Sequence, residues 1–354
     1  MTLLISAHAG ALAAGFLAPN SPQQQFRDYP LASPTPWYLE FSDSGWGIQI
    51  VSPLAEDLAD SSLRSPGSES MLPEATPLLW LEPAPPAGFL PGGTFFLHPG
   101  TPIRLLSAPP GSGPLFWLGS DALGRDLFSR LLFGARISLF SGLLAASLAV
   151  SIGCLLGLIA GLGSPTPYGS RKAQWLDRCV QATIDLTLTV PWLFLLLALR
   201  ATLPLDLPAE HAFFYLVLVL GLASWAPMAL IARAQGRELR ASLHFEAARG
   251  LGVSPFRRLA FHALPALLPA ALTQLTVLIP RCILAEVVLS FLGLGMPEVV
   301  PSWGHLLAEI HGASDPLSHP WLLAPCFALC LLILSYHRLA DSIRSGAPAG
   351  NPLP

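Results

Sequence analysis

Lysine is almost absent: of the 19 basic residues only Lys172 is a lysine, and it lies in YGSRKAQ. A phosphate-binding P-loop needs a lysine within G-x-x-x-x-G-K-[ST], where backbone amides cradle the phosphates and the ammonium neutralises them. Lys172 has no such context, so the chain cannot hydrolyse ATP by itself. H-E-x-x-H, G-x-S-x-G and paired aspartates within an apolar run are also lacking, which argues against a membrane protease or lipase. Charge of either sign is scarce, at 12% of 354 residues. Cysteine is sparse and confined, since Cys154, Cys179, Cys282, Cys326 and Cys330 all lie in or beside apolar runs. Segment 19–118 has none, so no disulfide framework exists there. Cys326 and Cys330 share a helix face, a spacing open to a metal pair or to small apolar side chains in packing.

Long apolar runs are what the chain has instead, and its mean hydropathy is +0.56. A helix that crosses a hydrocarbon core of about 30 Å needs about 20 predominantly apolar residues. Runs 137–163, 179–203, 212–232 and 266–292 meet that length, and 321–337 is shorter but free of acidic residues and lysine or arginine. Run 2–18 is marginal and has no basic residue before it. It reads as a first span, with a cleaved signal peptide or a misassigned start codon as the alternatives. The chain is therefore expected to be an all-α polytopic membrane protein of about six transmembrane helices. Arg171, Lys172 and Arg178 flank the gap before the third span, and Arg233, Arg237, Arg240, Arg249, Arg257 and Arg258 fill the gap before the fifth. Arg338 and Arg344 follow the last. The positive-inside rule places these segments and the carboxyl terminus in the cytoplasm, and 19–118 outside.

The expected organisation is a first span over 1–18, an external segment over 19–118, a membrane core over 119–345 and a flexible cytoplasmic tail over 346–354. The external segment is rich in Pro, Ser and Gly, and WYLEF, GIQIV and TFFLH within it read as short strands. It holds no catalytic constellation. Next, FWLGSDALGRDLFSRLLFGARISLF interleaves Arg125, Asp126, Arg130 and Arg136 with large apolar residues. That pattern predicts an amphipathic helix at the outer membrane surface. The second span carries small residues every fourth position: Ser141, Ala145, Ala149, Gly153, Gly157 and Gly161. In lipid such a stripe lets two helix backbones approach, within this chain or across to a partner. Pro191 is expected to kink the third span. Three charges fall inside spans, Asp185 in the third and Arg281 and Glu286 in the fifth. Each reads as an interhelix ion-pair member or as lining for a hydrated path.

The loop at 233–265 is too structured to be a linker. RAQGRELRASLHFEAARGLG is helix-prone, Gly250 and Gly252 can end that helix, and Ser254-Pro255 can start another. EAARGLGVSPFRRLAFHALP then matches E-A-A-x-x-x-G-x9-I-x-L-P, with Glu246, Ala247, Ala248, Gly252, Leu264 and Pro265 at signature positions and His262 at that of Ile. On these residues the chain resembles the inner-membrane permease subunits of binding-protein-dependent ABC importers. LGSDALGRDLFSRLLFGARISL, WLDRCVQATIDLTLTVPWLFLLL and ILAEVVLSFLGLGMPEVVPSWGHLL resemble the C-type subunit of the dipeptide/oligopeptide subgroup, so the likeness covers residues 116 to about 345.

The resemblance implies a type I importer permease fold and a half-channel paired with a second, similar permease in the bacterial inner membrane. It also implies two cytoplasmic ATPase subunits, which would bind the ATP and Mg, and a periplasmic solute-binding protein. No cofactor of its own, no metal and no nucleic acid enter this scheme. Residues 246–256 would be the coupling helix, in which Glu246 anchors and caps, Ala247 and Ala248 keep one face flat, Arg249 follows them, and Gly252 makes the turn. The external segment is longer than in common members, and Ala266 stands where asparagine is frequent after Leu-Pro. The solute expected is a di- or oligopeptide. Nickel, an antibiotic peptide or another solute is the alternative, and a non-transporting membrane scaffold or sensor is the rival class.

Overall fold

The computed structural model describes residues 2–35, 37–42, 45–50, 76–77, 79–83, 103–107, 114–163, 171–202, 204, 207–312 and 318–346. Helices α1 (Thr2–Leu12) and α2 (Ala14–Leu17) come first, followed by strands β1 (Trp37–Ser42), β2 (Gly45–Ile50), β3 (Thr76–Pro77), β4 (Leu79–Pro83) and β5 (Ile103–Ser107). Then come α3 (Leu127–Gly163), α4 (Arg171–Thr189), α5 (Trp192–Ala201), α6 (Ala209–Ser224), α7 (Ala226–Ala241), α8 (Leu243–Gly250) and α9 (Pro255–Arg258). A π turn (Leu259–Ala263) leads into α10 (Leu264–Phe291), and α11 (Trp303–Gly312), a 3-10 turn (Pro320–Leu323) and α12 (Ala324–Gly346) complete the chain.

Among the described residues three continuous stretches are long and apolar enough to cross a membrane: Leu127–Gly163, Pro255–Phe291 and Pro320–Ile343. Two bent pairs raise this to five, α4 with α5 through 100° and α6 with α7 through 47°. The first bend falls at Pro191, whose ring fixes φ and which has no N–H to donate back along α4. Run 2–18, expected as the first span, folds into α1 and α2, which part at Ala13. Its longest helix, α1, has 11 residues and rises only about 16 Å. Two of the three expected strands, WYLEF and GIQIV, fall in β1 and β2, which pair antiparallel from Trp37↔Ile50 to Ser42↔Gly45. The third, TFFLH, lies outside the described residues. Strand β3 joins the far edge of β2, and β4 pairs with β5 antiparallel.

The chain divides into two compact units. One comprises Phe140–Leu289 and Leu332–Pro354. Its interior forms where the small-residue stripe of α3 meets α7 within the same chain. A Cβ added at Gly153 would lie 2.7 Å from Met228 Cβ and from Trp225 O, and one at Gly157 would lie 2.7 Å from Ala232 Cβ. At Gly161 the obstacle is the backbone of Arg233. Cys154, Leu158, Met228, Ala232, Ala263 and Leu267 close the core around this contact. Gly157→Leu should therefore push the helices apart and destabilise the protein by about 1–3 kcal/mol, read as a lower melting temperature of the solubilised protein. Leu155→Ala, on an exposed face of the same helix, should change little, and equal losses in the two variants would refute the close packing.

The other unit comprises Thr2–Leu139 and Ser290–Leu331. Here the expected surface helix at 116–140 is corrected. Helix α3 starts at Leu127 and runs unbroken for 37 residues, and the charges ahead of the apolar run are largely buried. Arg125 bonds Asp121 at 2.7 Å and Glu309 at 2.8 Å, and Arg130 bonds Glu309 at 2.5 Å and also Asp121. Two cations and two carboxylates thus neutralise one another out of water. Asp126 is the N-cap of α3, accepting from Phe128 N and Ser129 N at 3.2 and 3.3 Å and from the Ser129 hydroxyl. Burial still pushes its carboxyl up to about 6. Arg136 donates to the carbonyls of Ala11 and Leu12 at 2.6 and 2.7 Å, satisfying acceptors that the end of α1 leaves open.

Candidate functional site

The loop that carries the EAA signature takes its shape from its helix ends. The stretch expected as one helix over 233–250 breaks at Ser242, whose extended ψ of 141° makes it the N-cap of α8. Helix α8 then ends in a complete Schellman motif. Gly252 has φ +75°, its N–H donates to Arg249 O at 3.0 Å, and Val253 N–H donates to Ala248 O at 3.1 Å. Those are the two bonds the motif requires, with Ala248 at the C3 position and Gly252 at C′. The four-residue gap from the second signature alanine to the glycine is thus the spacing this terminus demands. Ala248 is buried while Ala247 is exposed, so the two signature alanines do different work.

Ser254 then caps α9, its hydroxyl accepting from Arg257 N at 3.4 Å, with Pro255 at the first helical position. The chain does not stop at Leu264-Pro265 as a helix boundary. It widens into a π turn just before it, where Leu264 N–H reaches Leu259 O, five residues back. Pro265 cannot donate an N–H, and its ring would crowd the carbonyl four residues before it. A wider turn at that place relieves the clash. Leu264 packs against the core beside Leu267, whereas Pro265 is exposed. His262 sits in the π turn, half-buried, and its Nδ1 has no hydrogen-bond partner among the described residues.

The surface of this loop is unusual for its apolar exposure. Leu243 is 89% exposed, Leu251 85%, Phe256 77% and Phe261 72%. Glu246 is exposed and does not cap α8. It lies 3.7 Å from Arg249 one turn on, a weak surface pair. Helix α8 is held from below by buried Phe245, whose ring lies 5.3 Å from the Arg258 guanidinium carbon.

An ionic lattice ties the elements behind the loop together. Asp177 on α4, buried, accepts from Arg233 at 2.6 Å and from Arg237 at 3.0 Å on α7, and Gln181 joins Arg233 at 2.5 Å. Arg240 donates to Leu162 O at 2.9 Å at the end of α3. Sequence reading missed Asp177. The signal available for it was a single acid in WLDRC, between an apolar run and an arginine-rich loop.

The three charges expected inside spans are not brought together. Asp185 is exposed on α4 and accepts from Gln181 at 2.6 Å. Arg281 faces the Trp192 ring, 4.3 Å from its centroid. Glu286 is fully buried in α10. No three metal-ligating side chains converge among the described residues. Of the cysteine pair, Cys326 is half-buried and Cys330 exposed.

Comparison with known proteins places the chain in a family. The model of the family described as "binding-protein-dependent transport system inner membrane component" matches residues 153–346. The oligopeptide transport system permease protein OppC of Bacillus subtilis is 32% identical over 242 residues, covering 68% of this chain and 74% of that protein. The dipeptide transport system permease protein DppC of the same organism is 31% identical, covering 64% and 67%. Among solved structures, a chain of the MetNI methionine ABC transporter in an inward-facing conformation aligns over 61% of this chain and 95% of its own length. The two are 16% identical, with a TM-score of 0.45. With a family model covering more than half of its length and relatives of this similarity, the chain belongs to the binding-protein-dependent transport system inner membrane components, the permease subunits of ABC importers.

Proposed function

We propose that this chain forms half of a translocation pathway for di- or oligopeptides, that a second, similar permease supplies the other half, and that loop 242–263 is the handle gripped by a cytoplasmic ATPase. The single observation that carries the reading is the loop itself. A short helix with a rigid glycine-turned end holds Leu243, Leu251 and Phe256 out in water, with Glu246 and Arg249 at its rim. Large apolar side chains held outward on one short loop are what a docking partner covers. Two ATPase subunits would bind the ATP and Mg, since the chain has no P-loop. A solute-binding protein would deliver the peptide on the side of segment 19–118. The arginine distribution supports a cytoplasmic loop and carboxyl terminus in the inner membrane of a bacterium.

The loop can pass motion on because it is not alone. Helix α8 is joined to α7 through one residue, Ser242. Helix α7 is packed on α3 along the glycine stripe and bonded to α4 through Asp177. A displacement of α8 by closing ATPase subunits would move α3, α4 and α7 together, so that the pathway opens to one side and then the other. The peptide solute is inferred from the named activities of the OppC and DppC relatives.

Purification of the tagged chain from its native membrane should bring down a P-loop ATPase and a second permease. Proteoliposomes of that assembly with its binding protein should take up radiolabelled trialanine when ATP is inside. Isolation without any ATPase would refute the importer reading, and ATP-driven uptake of nickel but not of trialanine would refute the peptide.

A further inference from the structure

Two membrane-length segments break, and a third carries a proline, near the place where their side chains meet. Helices α4 and α5 part at Pro191, α6 and α7 part at Trp225, and α10 carries Pro280 in its interior. At this junction the Trp192 indole N–H donates to Ser224 Oγ at 3.3 Å, and Cys282 Sγ lies 3.9 Å from the same hydroxyl. Arg281 lies over Trp192, its guanidinium carbon 4.3 Å from the ring centroid. It is half-buried, and among the described residues no carboxylate stands within ion-pair distance of it. It is also ten residues from the end of α10 at Phe291, a rise of about 15 Å, too far for its side chain to reach the membrane surface.

A guanidinium at such depth is costly without an anion, and an aromatic face offsets only part of that cost. Contact with the Trp192 ring through the guanidinium carbon does, however, take up none of the N–H donors, and a guanidinium can offer two of them in parallel to a planar, two-oxygen acceptor. Trp192 is also the first residue of α5, so the first unbonded amides of a broken helix lie beside the same place and add positive potential. An inorganic anion would use the charge alone, whereas a carboxylate uses the fork as well. We propose that Arg281, held by Trp192, is the specificity-determining residue that reads the solute's terminal carboxylate as it passes through the membrane. This rests on the peptide reading above.

Trialanine and its carboxyl-terminal amide are the probes. Equilibrium binding is measured on the permease–ATPase assembly in nanodiscs without the binding protein, so that selectivity is not read from that other chain. The native assembly should bind the acid at least about tenfold more tightly than the amide, a difference of about 1.4 kcal/mol. Arg281→Gln should abolish the preference by weakening the acid only, Arg281→Lys should keep part of it, and Trp192→Leu should reduce it. Size-exclusion chromatography establishes that each variant assembles, and Arg281→Lys carries the test if Arg281→Gln does not. An unaltered preference, or equal loss of acid and amide, overturns the proposal. In the second case trialanine uptake by the native importer persists and the peptide reading stands. Absence of that uptake ends both.

Discussion

Gly252→Val should strongly reduce coupled uptake while the chain still inserts and assembles. A left-handed residue with a Cβ costs about 1–2 kcal/mol, and a β-branched one is strained further. Nothing lies within 4 Å of the position where a Cβ would project, so the penalty is conformational and not a clash. Relief requires φ to leave +75°, and both Schellman bonds, from Gly252 to Arg249 and from Val253 to Ala248, then fail. The end of α8 unwinds, and Leu251 and Phe256 no longer stand in a fixed relation to Leu243. In reconstituted importer the expected result is at least about a tenfold loss of transport, equivalent to about 1.4 kcal/mol at the coupled step, with ATP hydrolysis no longer responding to loaded binding protein. Gly252→Asn should be milder, because asparagine tolerates the left-handed region. Equal transport by the native importer and the Gly252→Val variant would remove the loop from the coupling role.

The largest stability loss is expected from Arg130→Met. Arg130 is 2% exposed and joins Asp121 and Glu309. Removal of one member of such a buried network leaves carboxylate charge without its partner, at a cost of about 3–5 kcal/mol. The double variant Arg130→Met with Glu309→Leu removes one charge of each sign and leaves Arg125 paired with Asp121 at 2.7 Å, and it should recover much of the loss. Thermal unfolding of the solubilised protein followed by tryptophan fluorescence reads both variants. A drop of less than about 0.5 kcal/mol in the single variant, the size of an ordinary surface substitution, would mean that the cluster does not hold this unit together.

These two sites differ in how far they could be read beforehand. The glycine turn was legible because Gly252 answers a local requirement: a left-handed residue four positions after Ala248 is written in the chain itself. The break at Pro191 was legible for the same reason, since proline acts on its own helix. The charge cluster was not. Arg125, Asp126 and Arg130 alternate with apolar residues in a pattern that suits a membrane surface, whereas the two arginines turn inward onto Asp121 and onto Glu309, some 180 positions later in sequence. Asp177 escaped notice likewise, because its partners Arg233 and Arg237 lie more than 50 positions away. In run 2–18 composition gives the apolar length but not the break at Ala13 between α1 and α2.

By itself, the sequence determined what depends on local covalent and solvation physics. It set the apolar lengths that need lipid, the lack of a P-loop lysine, the stripe of small residues that calls for close helix approach, and the turn that ends α8. Tertiary structure alone decided which partners those features meet. The glycine stripe packs on α7 of the same chain, the arginines near the loop close on Asp177, and Arg281 turns to Trp192 and not to Glu286. The physical reason is that a stripe or a charge states a requirement without naming its partner. Choice among distant partners is made by packing and by mutual neutralisation, which exist only once the chain has folded.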